Sequence, residues 1–285
     1  MTSHTIKTMH QNLVKQSVFN RLLRHVDLEF PVSHRKRKAS NAEVLLQVLR
    51  VLRYGVPWKD TADKCSYQAI YKRFRCWTRH DTFGRLWRKT VKRYADEKIR
   101  RDPQWFQHIF LDCTLIKNNG VTECKGRNPT DRGRSGTKLS AVCDRERQIV
   151  GIVPAPANVG DSLLATSTLS AIPFDLRSDK RRRINIIADK GYSYRKVSEK
   201  VRKVDRRFVL ITQKHKKHRR FPNNQCMTSD ANSMLKGRHV IENSFADIKK
   251  FKRIRTRDDS HTDNFCSFIF LSLALRTISR FERSD

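Results

Sequence analysis

Three carboxylates stand where apolar runs give way to polar chain. Asp112 follows Ile109, Phe110 and Leu111, and Asp189 follows Ile184, Ile186, Ile187 and Ala188 and precedes Lys190, Gly191 and Tyr192. The third, Glu242, lies in RHVIENSFADIKKFKR, a segment rich in Arg, Lys and His. One Asp after a strand is ordinarily a loop acid bonded to a neighbouring turn, and one Glu on a basic helix is ordinarily half of an i, i+4 ion pair worth roughly 0.2–0.5 kcal/mol. Three such acids in one strongly basic chain suggest a shared task. Clustered carboxylates repel one another and repel a polyanion, and a divalent cation removes both conflicts. Hard oxygen ligands suit Mg²⁺, and two ions about 3.5–4 Å apart can activate the attacking oxygen and stabilise the leaving one during phosphodiester cleavage. Asp112, Asp189 and Glu242 are therefore the expected catalytic and metal-holding residues, with two Mg²⁺ ions and with Mn²⁺ as a substitute.

The composition agrees with a nucleic-acid partner. Lys and Arg number 61 against 28 Asp and Glu, a formal net charge of +33, which suits phosphate neutralisation far better than ordinary metabolic chemistry. No stretch approaches the roughly 18 consecutive apolar residues of a spanning helix, and MTSHTIKTMHQN lacks the apolar core of a secretory signal. Seven cysteines with no C-x-x-C pair fit neither a disulfide framework nor a zinc ribbon, so a reducing compartment is expected.

The elements that must position the acids change character near residue 100. Before it, the apolar spacing is helical. Leu13, Val14, Val18, Leu22 and Val26 predict a first amphipathic helix, followed by the basic connector HRKRK at 34–38. Ser40 and Glu43 have the capping-box spacing and open a helix that stops at Gly55. A further helix begins at Ser66 with Ile70, Phe74 and Trp77 on one face, and another carries Phe83, Leu86, Trp87, Val91 and Tyr94. This unit reads either as a helix-turn-helix type of DNA reader or as a packing module with solvated basic residues. Trp58, Trp77 and Trp87 are expected to be core anchors.

After residue 105 the pattern becomes β-like. QHIFLDCTLIK, GTKLSAVCD and RQIVGIVPAPA predict three successive strands. Then come a helix over 161–171, a strand in RINIIADKG, a helix in SYRKVSEKVRK and a strand in RRFVLITQK. A meander followed by alternation predicts an α/β fold, a mixed sheet flanked by helices. Ile241, Phe245, Ile248 and Phe251 predict a helix that places Arg238, Glu242 and Lys249 on one stripe. The acid is then expected to hold the ion while Arg238 and Lys249 hold phosphate.

At these residues the chain resembles insertion-sequence DDE transposases of the IS5 type, in the IS4/IS5 group with a ribonuclease H-like core. The matching motifs are Asp112 in FLDCT, the strand GTKLSAVCD, ADKGY from Ala188 to Tyr192, and R-x3-E-x6-K as Arg238, Glu242 and Lys249. RYGVPWKD and YKRFRCW resemble the helical domain that precedes such a core, and the resemblance runs from about Arg35 to Phe281. Two positions depart from the pattern: Leu235 stands where the wider group often has Tyr, and Cys113 where Ser or Thr is more usual. The resemblance implies a helical domain over 1–104 with helix-turn-helix-like DNA binding and a catalytic domain over 105–285. It implies metal-dependent cleavage at the ends of a mobile element and attack of the freed 3′-OH on target DNA. The expected partners are terminal inverted repeats and target DNA, without a membrane, with two copies of the chain acting as a homodimer. The location would be cytoplasmic and nucleoid-associated in a bacterium, or nuclear in a eukaryotic host. Expected DNA contacts are Arg238, Lys249, Lys190, Lys138, Arg73 and Arg75.

Other polar residues carry plainer expectations. Asp161 reads as a helix N-cap with a supporting catalytic role as the alternative, and Asp144 as a turn residue. KHKKHRR at 214–220 reads as a phosphate-binding run rather than, with Cys226, a zinc site, and KRRR at 180–183 equally as a solvated loop or an import signal. Cys113, Cys143 and Cys266 are expected core thiols, and NFCSFIFLSLALRTI is expected to pack against the sheet. Two other classes stay open: a domesticated relative that binds DNA without cutting, and a basic RNA-binding or structural protein, which would need no acids at those positions.

Overall fold

A computed structural model of the chain describes residues 13–30, 39–63, 65–129, 132–175, 183–213 and 234–281. HRKRK at 34–38, KHKKHRR at 214–220, Cys226 and most of KRRR lie outside the described residues. The chain divides into two compact units, one of Met1–Thr90, Asn119–Glu123 and Ile248–Asp285, the other of Val91–Asn118 and Cys124–Asp247. This partition follows packing rather than chain order and differs from a break at 104/105.

The first unit is helical. It holds α1 (Gln16–Glu29), α2 (Asn41–Tyr54), α3 (Tyr67–Arg79) and the start of α4 (Thr82–Arg101), which continues into the second unit. Ser40 and Glu43 form the expected capping box: the Glu43 amide donates to Ser40 Oγ and the Ser40 amide donates to Glu43 Oε2. α2 ends at Gly55, whose φ of +66° is the left-handed conformation that favours glycine there. The tail of the chain departs from expectation. α9 (Thr262–Phe281) packs on α1 and α3 of its own unit, as does α8 (Lys252–Arg255) on α2. Phe268 stacks on Phe74 at 4.7 Å and lies 6.1 Å from Trp58. An almost wholly apolar helix needs cover on every side, and the aromatic face presented by α3 supplies it. Trp77 and Trp87 are core residues as expected.

The second unit is the mixed α/β layer. Its strands are β1 (His108–Asn118), β2 (Gly126–Arg127), β3 (Ser135–Asp144), β4 (Ile149–Pro156), β5 (Ile184–Ile187) and β6 (Phe208–Ile211). β2 and β4 both pair antiparallel with β3, β3 pairs antiparallel with β1, and the sheet continues through the parallel pairs β1–β5 and β5–β6. α5 (Asp161–Ser170) lies against β3 and β4, and α6 (Arg195–Val204) against α5 and β6. α5 comes so close that a Cβ at Gly151 would meet Thr168 O at 2.7 Å, so glycine is required on that strand. Asp144 ends β3 as a turn residue, fully buried: its carboxylate accepts from the amides of Glu146 and Gln148 and from the Tyr94 hydroxyl. The described cysteines are free thiols, Cys143 buried and Cys113 and Cys266 half-buried. Among the described residues no helix is long and apolar enough to cross a membrane.

Candidate functional site

Register brings two of the acids together. In the parallel pair, Phe110 lies opposite Ile187, and Asp112 and Asp189 each follow two residues later. Parallel strands about 4.8 Å apart, advancing equally from a matched pair, deliver their next same-face side chains side by side. Asp112 does not end its strand: β1 runs on to Asn118, paired with β3, and Asp112 lies opposite Ala141. The acid sits where β5 stops and β1 continues. Asp189 leads into a single 3₁₀ turn, Lys190–Tyr192, closed by the Tyr192 amide donating to Asp189 O.

A guanidinium joins the pair. Arg238 Nη2 donates to Asp112 Oδ2 at 3.3 Å and its Nη1 to Asp189 Oδ1 at 3.2 Å, while its buried Nε has no hydrogen-bond partner among the described residues. The other oxygen of Asp112 accepts from the Cys113 amide at 2.8 Å. Burial pushes the Asp112 carboxyl above its ordinary value despite the lowering influence of that amide and of Arg238. Behind the pair, the Tyr192 hydroxyl lies 3.4 Å from Cys113 Sγ, tying the turn that carries Asp189 to the residue after Asp112. Burial raises the Cys113 thiol to about 11, so it stays protonated. In the sequence Tyr192 stands out only as the end of the ADKGY motif, and its place just past an apolar strand is the one signal of a supporting role.

The remaining expected residues divide. The helix α7 (His239–Ile248) starts immediately after Arg238. Glu242 lies in its first turn, exposed to solvent, with no hydrogen bond or ion pair among the described residues. Among the described residues no group of three or more His, Cys, Asp and Glu side chains is arranged to hold a metal, so the expected three-acid cluster is present as a pair plus a third acid held apart. Arg238 instead bridges the two Asp carboxylates. The predicted stripe also ends early: α7 stops at Ile248, so Lys249 lies past its end, in the other compact unit, half-buried and with its ammonium shifted downward by burial.

Lys190 is exposed beside Asp189, where a phosphate can reach it. Lys138 instead turns inward, donating to Val159 O at 2.6 Å and pairing with Asp161. Asp161 is not the N-cap, which is Gly160, but the first residue of α5. Arg73 and Arg75 are half-buried and donate to Ala39 O at 2.8 Å and Asn264 Oδ1 at 2.7 Å. The exposed cations of α3 are Lys72 and Arg79, because Arg73 and Arg75 flank the buried Phe74. A basic face not anticipated lies on α6, where Lys196, Lys200 and Lys203 are exposed on one stripe opposite buried Val197 and Val201.

The donor set fits a divalent cation. Two carboxylates already share one positive group, and both present hard oxygens. A mixed sheet of this order, with an acid pair just past the last matched pair of its central parallel strands, is of the ribonuclease H-like class. A model of the transposase DDE domain matches residues 106–276, and the chain belongs to that family. A putative transposase for insertion sequence element IS402 from Burkholderia cepacia is 28% identical over 163 residues, 56% of this chain and 71% of that protein. The fold is similar to a chain of the piggyBac transposase synaptic complex with hairpin DNA, with a TM-score of 0.50 at 8% identity, covering 98% of this chain and 75% of that one. A chain of the Mos1 strand transfer complex gives a TM-score of 0.27 at 12% identity over 87% of this chain and 80% of that one, which carries no weight for the fold.

Proposed function

We propose that this DDE-family protein is an insertion-sequence transposase that nicks the ends of a mobile element and joins the freed 3′-OH to target DNA. The observation that carries the reading is the Asp112–Arg238–Asp189 arrangement beyond the matched pair Phe110–Ile187. In the first step a water oxygen bonds to phosphorus and the P–O3′ bond breaks, leaving 3′-OH and 5′-phosphate. In the second, that 3′-OH oxygen bonds to a target phosphorus and the target P–O3′ bond breaks. One site serves both because each is an in-line displacement at phosphorus.

Asp112 and Asp189 would hold the divalent cation, with Glu242 joining by rotation of an exposed side chain. The ion, Mg²⁺ in this reading, supplies Lewis-acid polarisation of the phosphate and charge neutralisation. Lys190 and the Arg238 guanidinium orient the phosphate, and the exposed lysines of α6 track the backbone beside Asp189. The N-terminal helices, through Lys72 and Arg79, would grip further DNA. Two ends must be held for a mobile element to move, so a homodimer on DNA belongs to the same reading.

The test is a nicking assay on supercoiled plasmid carrying the gene's own flanking DNA. Wild type, Asp112→Asn, Asp189→Asn and Glu242→Gln are compared in Mg²⁺, Mn²⁺ and chelator. Metal-dependent nicks that leave 3′-OH at the ends, lost in each variant, support the transposase reading. Salt-sensitive binding without cleavage in any metal replaces it with a DNA-binding relative.

A further inference from the structure

We propose that Arg238 is a displaceable counter-cation, shared between the acid pair and a DNA phosphate, so that DNA binding and metal binding at this site are thermodynamically coupled. The inference rests on Asp112 and Asp189 being the metal-holding pair. The guanidinium contacts one oxygen of each acid, so it stands where a cation serving both would stand, and the two cannot be held there at once.

Its hold is loose. The contacts of 3.2 and 3.3 Å are longer than the 2.7–2.9 Å typical of charged N–H···O bonds. Elsewhere in the chain Arg207 reaches Asp205 at 2.6 Å and Arg253 reaches Asp259 at 2.9 Å. Arg238 also leaves a buried Nε unbonded among the described residues, whereas Arg253 places Nε, Nη1 and Nη2 on carboxylate oxygens. A guanidinium with two stretched bonds and an idle donor is readily drawn to a better partner. A phosphate arriving beside exposed Lys190 offers two oxygens to its planar fork. Once Arg238 turns to it, the acids lose their counter-charge and favour a divalent ion, and Glu242, which has no partner among the described residues, is exposed nearby in the chain.

Coupling must be reciprocal. DNA should tighten metal binding, metal should tighten DNA binding by the same factor, and removing the guanidinium should abolish both effects.

The test measures Mn²⁺ binding to the full chain by electron paramagnetic resonance without DNA, so activity is not the readout. Arg238→Gln should bind Mn²⁺ about tenfold more tightly than wild type, within the roughly 5–150-fold range of such couplings. Arg238→Lys, which keeps the charge, should stay near wild type and controls for folding. Fluorescence anisotropy with a labelled duplex at constant ionic strength supplies the reciprocal arm: Ca²⁺ should strengthen wild-type binding and change Arg238→Gln little. If Asp112→Asn abolishes Mn²⁺ binding but Arg238→Gln binds no more tightly than wild type, the coupling is wrong and the metal site stands. If Mn²⁺ binds neither wild type nor Arg238→Gln, or if its binding is indifferent to Asp112→Asn, the metal reading and the coupling both fail.

Discussion

Gly237→Ala tests whether close packing sets the site. A Cβ at position 237 would lie 3.1 Å from Met234 O, 3.2 Å from Phe110 Cε1 and 3.4 Å from Phe110 Cζ. Neither neighbour is the free end of a flexible chain: one is backbone, and the ring belongs to a core residue of β1 two positions before Asp112. Relief to ordinary separation needs a shift of a few tenths of an ångström between Phe110 and the turn that carries Arg238. Overpacking of this kind costs about 1–3 kcal/mol, and the lower end applies because only one methyl is added. The shift falls on the separation between Asp112 and Arg238, and positional errors of about 1 Å can cost roughly a hundredfold in rate, so a severalfold loss of nicking is expected with a fall in melting temperature of a few degrees. Melting by circular dichroism and single-turnover nicking on the same preparations check it. Full nicking activity at an unchanged melting temperature would refute the claim that this close approach positions the site.

Two further outcomes follow from the same geometry. Burial raises the Asp112 carboxyl, so the folded chain binds its proton more strongly than the unfolded chain, and its contribution to stability is present below the ordinary carboxylate range and lost as pH rises through the raised value. Asp112→Asn should therefore melt higher than wild type at neutral pH in chelator, with the gain shrinking as the pH falls through the ordinary carboxylate range; a lower melting temperature at neutral pH would contradict it. Replacing Lys196, Lys200 and Lys203 with Ala should make the slope of log affinity against log salt for a duplex shallower by up to about 0.9 for each phosphate that is no longer neutralised, measured by anisotropy, whereas an unchanged slope would remove α6 from the DNA surface.

What can be read from the sequence is local. The capping box of Ser40 and Glu43 and the stop at Gly55 are decided by residues within one turn, and the structure shows both. The alternation in GTKLSAVCD and RQIVGIVPAPA is likewise a short-range signal, and β3 and β4 form there. The run QHIFLDCTLIK reads as a strand in the sequence, whereas its pairing with β3, more than twenty residues away, does not. Lys138 reads as a DNA contact because its partner Asp161 lies 23 residues on. The packing of α9 depends on Phe74 and Trp58, far earlier in the chain. In each case a short-range pattern supplies the residue and a distant segment supplies its environment.

The Arg238–Glu242 spacing shows how the two scales meet. Four residues predict one helical face, but Arg238 precedes α7 and Glu242 lies within its first turn, so the cation reaches back to acids 126 and 49 positions away while the carboxylate remains in solvent. Opposite charges at this spacing would ordinarily neutralise each other. Here two Asp carboxylates take the guanidinium, and Glu242 has no hydrogen-bond or ion-pair partner among the described residues. Under the coupling proposed for Arg238, Glu242 would join the cation only after a phosphate has drawn the guanidinium from the two Asp carboxylates.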